Sequence, residues 1–101
     1  MSVVVTVRFP VSDVAKAIQG LHDNAEFLEE ITASTKNAGN IHHRFVSGDG
    51  ELLVIDEWET ADQFQSFFDG NPKVAEVMAS IGMTGAPEIS VYGSVDAAGT
   101  V

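Results

Sequence analysis

The pattern of apolar and polar positions along the chain predicts four strands. In residues 3–9, apolar side chains alternate with a mixed set at a period of two, which is typical of a strand. Pro10 is expected to end that strand, because proline has no backbone N–H to donate. Residues 41–46, 51–58 and 88–95 predict three further strands. The run at 51–58 contains an unbroken apolar stretch typical of a buried strand.

Between the strands, apolar residues recur at steps of three and four, which predicts amphipathic helices. Ser12 and Asp13 are both suitable caps for the first helix. The poor helix formers at 22–24 predict a break, after which Asn24 caps a second segment. That segment is expected to end just before Gly39, because glycine readily takes the left-handed conformation that follows many helices.

The predicted helix after Trp58 begins with a capping box, in which Thr60 and Gln63 each satisfy a backbone N–H near the helix start. Asn71 followed by Pro72 predicts a shorter helix, since proline at the first helical position sacrifices no hydrogen bond. The spacing of three phenylalanines puts them on one face of the helix that follows Thr60: Phe64, Phe67 and Phe68. A sheet is expected beneath these rings.

The order of these elements predicts an α+β fold, a ferredoxin-like four-stranded antiparallel sheet with helices on one face. Residues 1–101 are expected to form one domain, with an ordered core at about 3–95 and a frayed tail at 96–101. The sheet face away from the helices would carry an apolar patch: Val4, Leu52 or Leu53, Val54 and Tyr92. Such a patch predicts a partner, and a second copy related by a two-fold axis is the simplest.

Composition narrows the partners. Fifteen acidic against five basic residues give a formal charge of −10, which repels phosphate backbones and anionic lipids, so neither nucleic acid nor a membrane is an expected partner. The absence of cysteine excludes disulfides, thiolate metal sites and a cysteine nucleophile. The N-terminal residues lack the features of a signal peptide, and a cytoplasmic location is expected.

Two adjacent histidines on the second predicted strand are the most unusual candidates for chemistry. Because neighbouring residues on a strand point to opposite faces, His42 and His43 cannot both face one cavity. A two-residue turn at 49–50 would put His43 beside Asp56 and His42 beside Glu57. A three-residue loop would instead put His43 beside Glu57. The Asp-Gly sequence favours the two-residue turn.

A histidine beside a carboxylate has two interpretations. As a general base, His43 would deprotonate a phenol or enol that then meets oxygen, while Asp56 orients the ring and supports its charged form. As a structural pair, the same residues would fix the sheet or a dimer interface without catalysis.

The aromatic residues near the third strand also have two interpretations. They could line a pocket for an aromatic ligand, or they could be ordinary core. Met78 could likewise be an adaptable pocket wall or a packing residue. The residues concerned are Trp58, Phe64, Phe67, Phe68 and Met78.

A strand that ends in Asp56, Glu57 and Trp58, followed by a phenylalanine-bearing helix and a closing strand, resembles the dimeric α/β-barrel superfamily. Residues 3–95 are similar in particular to the antibiotic-biosynthesis-monooxygenase-type domains. The resemblance implies a homodimer whose two sheets form a barrel, with a small-molecule cavity between sheet and helices in each subunit. Members include cofactor-independent oxygenases, haem-degrading enzymes and proteins without known activity.

The chain departs from the haem-degrading members. A resemblance to those members would imply three residues: an asparagine on the first strand, a second tryptophan in the helix that follows Thr60 and a histidine after that helix. The first strand offers Thr6 and Arg8, the helix has Phe67, and Lys73 and Glu76 follow with no later histidine. No haem is therefore expected. No two histidines have the i, i+4 helical spacing of a metal site, and no compact metal-binding motif is present, so neither a metal nor another bound cofactor is expected.

The resemblance implies binding of a small aromatic or polycyclic molecule, with cofactor-independent monooxygenase-like oxidation of it. The alternative is a non-catalytic dimeric binding protein or a stress-related accessory protein. The expected catalytic residues are His43, Asp56 and Trp58. The expected ligand-binding residues are Glu57, His42, Phe64, Phe67, Phe68 and Met78.

Overall fold

The chain was analysed as a computed structural model, which describes residues 2–100. Its elements are β1 (Val3–Pro10), α1 (Val14–Asp23), α2 (Ala25–Ala38), β2 (Asn40–Gly48), β3 (Glu51–Trp58), α3 (Ala61–Gly70), α4 (Pro72–Ser80) and β4 (Glu88–Gly93). The strands form one antiparallel sheet in the order β2-β3-β1-β4. The predicted α+β ferredoxin-like fold is confirmed. No helix within residues 2–100 is long and apolar enough to cross a membrane.

The β2–β3 hairpin has the predicted two-residue turn at 49–50, where Gly50 has a φ of 71°. This turn sets the register that puts His43 opposite Asp56, so the three-residue alternative is wrong. A bulge near the start of β2 leaves Ile41 without a partner on β3. The hairpin thereby fixes which histidine shares a face with which acid.

The core lies between the sheet and the helices. The described core residues come from one face of β1 and β3, from the helices that cover it, and from the positions directly after β1 and α4: Val5, Val7, Phe9, Val11, Ala17, Leu52, Val54, Trp58, Phe64, Val77 and Ile81. The open face of the sheet carries the alternate residues, which include Val4 and Tyr92 as predicted.

The prediction for the open face is wrong at Val54. Val54 pairs with Val7, and Leu52 pairs with Phe9, so both lie on the helix-covered face, with 6% and 1% of their surfaces exposed. Leu53 is therefore the leucine that faces outward. Alternation on β3 puts Val54 on the same face as Asp56 and Trp58, so its place in the predicted patch was inconsistent with the predicted site.

The strand limits differ slightly from the prediction. β1 includes Pro10, whose carbonyl accepts a hydrogen bond from the Thr84 backbone N–H at 2.9 Å. β2 is longer than predicted, and β4 stops at Gly93. Residues 96–100 are exposed, and Val101 lies outside the described residues, so the frayed tail stays a prediction.

The break between α1 and α2 is confirmed, and Asn24 takes the predicted N-cap position of α2, but its side chain does not cap the helix. The Asn24 side chain makes no cap hydrogen bond to α2. Its amide donates instead to the Gly20 carbonyl at 2.7 Å and to the Ser80 hydroxyl at 3.0 Å. Asn24 therefore ties the helix break to the end of α4, a long-range contact that sequence spacing does not reveal.

The capping box of α3 is present as predicted. The Thr60 hydroxyl accepts from the Gln63 backbone N–H at 3.2 Å, and the Gln63 side chain accepts from the Thr60 backbone N–H at 3.0 Å. We expect Thr60→Ala to lower the free energy of unfolding by about 1 kcal/mol, the usual cost of a lost N-cap. Urea unfolding should show a lower midpoint at an unchanged slope. Thr100→Ala in the exposed tail is the control, and an equal midpoint for both variants would contradict the expectation.

Candidate functional site

A cavity of about 150 Å³ lies between the helix-covered face of the sheet and the helices. Its wall is almost entirely apolar and includes parts of β1, β2, β3 and all four helices. Seven of the predicted site residues line it: His43, Asp56, Trp58, Phe64, Phe67, Phe68 and Met78. Phe67, Phe68 and Met78, which the sequence allowed either as pocket wall or as ordinary core, therefore lie in the cavity wall.

The ionisable groups of this wall are His43 and Asp56. The His43 Nδ1 lies 2.5 Å from Asp56 Oδ1, and the Trp58 Nε1–H donates to Asp56 Oδ2 at 3.2 Å. The Asp56 side chain is 8% exposed, while that of His43 is 31% exposed. A buried carboxylate thus has a partner on each oxygen, and the histidine it holds is still partly open to solvent.

The strands explain this arrangement. Asp56 and Trp58 are two residues apart on β3 and so share a face, and the hairpin register brings His43 beside them. β2 is an edge strand and β3 is an inner strand, which is why the histidine is more open than the carboxylate. The carboxylate of Asp56, when ionised, can only accept hydrogen bonds.

Hydrogen bonding to Asp56 fixes the tautomer of neutral His43. Since Nδ1 must carry the hydrogen that Asp56 accepts, Nε2 keeps its lone pair. Within residues 2–100, no hydrogen bond engages Nε2. His43 lines the apolar cavity, and the pair leaves it one nitrogen that can accept a proton.

Aromatic rings build the wall on the α3 side. Trp58 meets Phe64 edge-on with ring centroids 5.8 Å apart, and it packs against Phe67 at 5.6 Å. Phe68 packs against Phe64 at 5.5 Å. Phe64 and Trp58 are buried, so they are core residues as well as cavity walls, whereas Phe67 and Phe68 are half-buried.

Two threonines of α2 also line the cavity, and the sequence analysis missed them. Thr32 donates its hydroxyl hydrogen to the Leu28 carbonyl at 2.9 Å, and Thr35 donates to the Thr32 carbonyl at 2.8 Å. Thr35 is 7% exposed. A signal existed, because Thr35 continues the apolar face of α2 that contains Leu28 and Ile31.

His42 and Glu57 lie on the open face of the sheet, as the favoured register predicts. Their closest approach is 3.9 Å between His42 Nε2 and Glu57 Oε1, and the His42 side chain is 77% exposed. Glu57 also accepts a hydrogen bond from the Ser2 hydroxyl. Neither residue lines the cavity described above, so their ligand-binding role stays a prediction that concerns the opposite face.

Among the described residues, no three histidine, aspartate or glutamate side chains are grouped so that they could hold a metal ion. His43 and Asp56 are hydrogen-bonded to each other.

No protein-family model matches the chain, and no curated protein is significantly similar to it in sequence. Solved structures are similar in fold. A monooxygenase from the gene ActVA-Orf6 of Streptomyces coelicolor, in complex with nanaomycin D, is 22% identical with a TM-score of 0.71, over 95% of this chain and 89% of that one. SnoaB, a cofactor-independent oxygenase from Streptomyces nogalater, is 16% identical with a TM-score of 0.66, over 98% of each chain.

A dimeric ferredoxin-like protein from an uncultured marine organism is 12% identical with a TM-score of 0.69, over 95% of this chain and 90% of the other. At these identities the likeness concerns the fold. The chain has the fold of the antibiotic-biosynthesis-monooxygenase-type proteins, which confirms the resemblance noted from its residues.

Proposed function

We propose that this protein binds a small aromatic molecule in its cavity and oxidises it with molecular oxygen, without a bound cofactor. His43 would act as the general base, Asp56 would orient it, and Trp58 would hold Asp56 and contact the ligand. The observation that carries the proposal is the Asp56–His43 pair, which supplies the ionisable groups in the wall of an otherwise apolar cavity. The shared fold of a monooxygenase and a cofactor-independent oxygenase supports it.

The chemistry follows from the oriented histidine. Nε2 of His43 takes the hydroxyl proton of a phenol or enol, and Asp56 stabilises the imidazolium that forms. The resulting anion is electron-rich and can reduce oxygen. For a phenol with hydrogen on the reacting carbon, phenol and O₂ give a quinone and water. One oxygen atom bonds to the ring, and the other leaves as water with the hydroxyl and ring hydrogens, so four electrons pass from the ring to O₂.

A ligand screen followed by oxygen uptake tests the proposal. Phenols, quinols, aromatic polyketides, flavins and haem are compared by thermal shift, because a ligand that prefers the native state raises the melting temperature. We expect phenols or quinols to raise it and to stimulate oxygen uptake, with one O₂ consumed per quinone formed. Stabilisation without oxygen uptake would contradict catalysis, and no stabilisation by any aromatic compound would contradict binding as well.

Binding without turnover is the second candidate function. One observation favours it: Asp56 accepts hydrogen bonds from both His43 and Trp58, so the pair also fastens β2 to β3. A structural fastener needs no reactive ligand. The two functions differ in turnover. Catalysis predicts that loss of the histidine base lowers the rate of oxygen uptake, whereas binding alone predicts no oxygen uptake with or without the histidine.

We also propose that a second copy covers the open face of the sheet. That face combines half-buried apolar side chains such as Val4, Leu53 and Ile55 with Tyr92, which is 56% exposed. A large exposed apolar patch is typical of an interface, and a solved structure of similar fold is described as dimeric.

Light scattering tests the dimer. We expect a mass of twice 10.7 kDa for the wild type, and a mass near 10.7 kDa for Ile55→Glu, which would bury an unpaired charge in the interface. Val95→Glu is the control, because Val95 follows the end of β4 and is 77% exposed. A stable wild-type monomer would contradict the barrel arrangement.

A further inference from the structure

We propose that the cavity selects a single aromatic ring that carries a hydrogen-bond donor, and discriminates against rings of similar size whose polar atoms only accept. This deepens the proposed function by naming the ligand class of the same site. It rests on the binding part of that function and holds whether or not oxidation follows.

The hydrogen-bond donors in the cavity wall are already engaged within the protein. Four described lining side chains can donate: Thr32, Thr35, His43 and Trp58. Trp58 Nε1–H and the Nδ1–H of neutral His43 are both donated to Asp56. The two threonine hydroxyls donate to backbone carbonyls of their own helix. No side-chain donor of this described wall is left for a ligand while His43 is neutral.

The acceptors are not used up in the same way. The Nε2 lone pair of His43 remains, together with lone pairs on the threonine oxygens and on the Asp56 carboxylate. A phenolic O–H entering the cavity can therefore exchange its bond to water for a bond to the wall. An ether or carbonyl oxygen would lose its bond to water and gain none from these side chains. Leaving such a polar atom unsatisfied weakens binding by about tenfold or more.

Charge acts in the same direction. A carboxylate ligand would meet the Asp56 carboxylate within a chain of formal charge −10, without a donor to receive it. Benzoate should therefore bind less well than phenol, although both carry one ring.

Volume limits the ligand to one ring. The cavity measures about 150 Å³, which matches the size of an engineered cavity of about 150 Å³ that binds benzene. Sites for drug-sized molecules are larger, at about 300 to 1,000 Å³. The extra rings of a polycyclic ligand would not fit within this volume, so the structure narrows the expected aromatic or polycyclic class to a single enclosed ring.

The test is a titration of ¹⁵N-labelled protein with four probes: phenol, toluene, anisole and benzoate. The reporter is the indole N–H signal of Trp58, which is the one tryptophan of the sequence and lines the cavity. We expect phenol to bind at least about tenfold more tightly than anisole or benzoate, while toluene, which has no polar atom, reports apolar binding alone. 1-Naphthol should bind more weakly than phenol despite its larger apolar surface.

The outcomes separate this inference from the proposed function. If anisole or benzoate binds as tightly as phenol, donor selection is wrong while the binding function stands. Tighter binding of 1-naphthol would overturn the one-ring limit alone. If no aromatic probe binds, the proposed function and the inference both fail.

A variant adds a second check. His43→Gln places an amide N–H beside the cavity, so the preference for phenol over anisole should fall by about tenfold, toward equal binding. His22→Gln is the control, since His22 is exposed on α1 and does not line the cavity. An unchanged preference in a folded His43→Gln protein would overturn the assignment of His43 as the principal acceptor.

Discussion

Replacing His43 with glutamine is expected to lower the rate of oxygen-dependent turnover at least about 100-fold, since a general base contributes about 10²- to 10⁴-fold. Glutamine has no basic nitrogen, but its amide can still donate to Asp56, so the buried carboxylate keeps a partner. The variant should therefore retain the fold and a similar melting temperature. Oxygen consumption and thermal unfolding of the same preparation measure the two effects.

The control for this result is the same substitution at an exposed histidine. His22→Gln should turn over at the wild-type rate, because His22 lies outside the cavity wall. If the His43 variant remains fully active, His43 is not the base. If it unfolds or changes oligomeric state instead, the structural interpretation of the Asp56–His43 pair is correct.

Replacing Trp58 with alanine is expected to lower the free energy of unfolding by about 3 to 5 kcal/mol, the usual cost of truncating a buried large aromatic side chain. Trp58 is 1% exposed, contacts Phe64 and Phe67, and donates to Asp56. A domain of this size is stable by about 5 to 15 kcal/mol, so the variant would lie close to unfolding. Urea unfolding followed by circular dichroism measures the change, because the variant has no tryptophan fluorescence.

Trp58→Phe separates packing from hydrogen bonding. Phenylalanine keeps much of the ring contact but removes the N–H that Asp56 accepts. We expect a smaller loss, about 1 to 3 kcal/mol, from the unsatisfied carboxylate oxygen and the lost ring volume. A stability of Trp58→Ala within about 1 kcal/mol of the wild type would contradict the central packing role of this residue.

Local signals made most of the fold predictable. The Asp-Gly turn set the hairpin register, and that register alone determined that His43 faces Asp56 rather than Glu57. The capping box at Thr60 and the helix start at Pro72 were also predictable, because each depends on residues within one helical turn. Such features are encoded by neighbours in sequence, so a single chain suffices to predict them.

Features that depend on distant residues were not predictable. The side chain of Asn24 was assigned to a helix cap, but its partner Ser80 belongs to another helix. Thr35 was missed although its spacing from Leu28 and Ile31 puts it on the apolar face of α2, and only the packed helices show that it lines the cavity.

The candidate site was predictable in its members and not in its shape. Alternation on β3 placed Asp56 with Trp58, and helical spacing grouped Phe64, Phe67 and Phe68. Whether these rings filled the space or enclosed a cavity depends on packing among four helices, which no sequence spacing defines. The volume of about 150 Å³ is therefore information from the structure alone.

The most direct test of the account is the ¹⁵N spectrum of the histidine rings during a titration with phenol. We predict that Nδ1 of His43 carries the hydrogen that Asp56 accepts. We also predict that the ¹⁵N chemical shift of its Nε2 changes as phenol is added and reaches a limit when the site is saturated. The signals of His22 and His42 should not move, since neither ring lines the cavity. Ligand binding that leaves the His43 nitrogens unchanged, or the absence of any saturable change, would contradict the account.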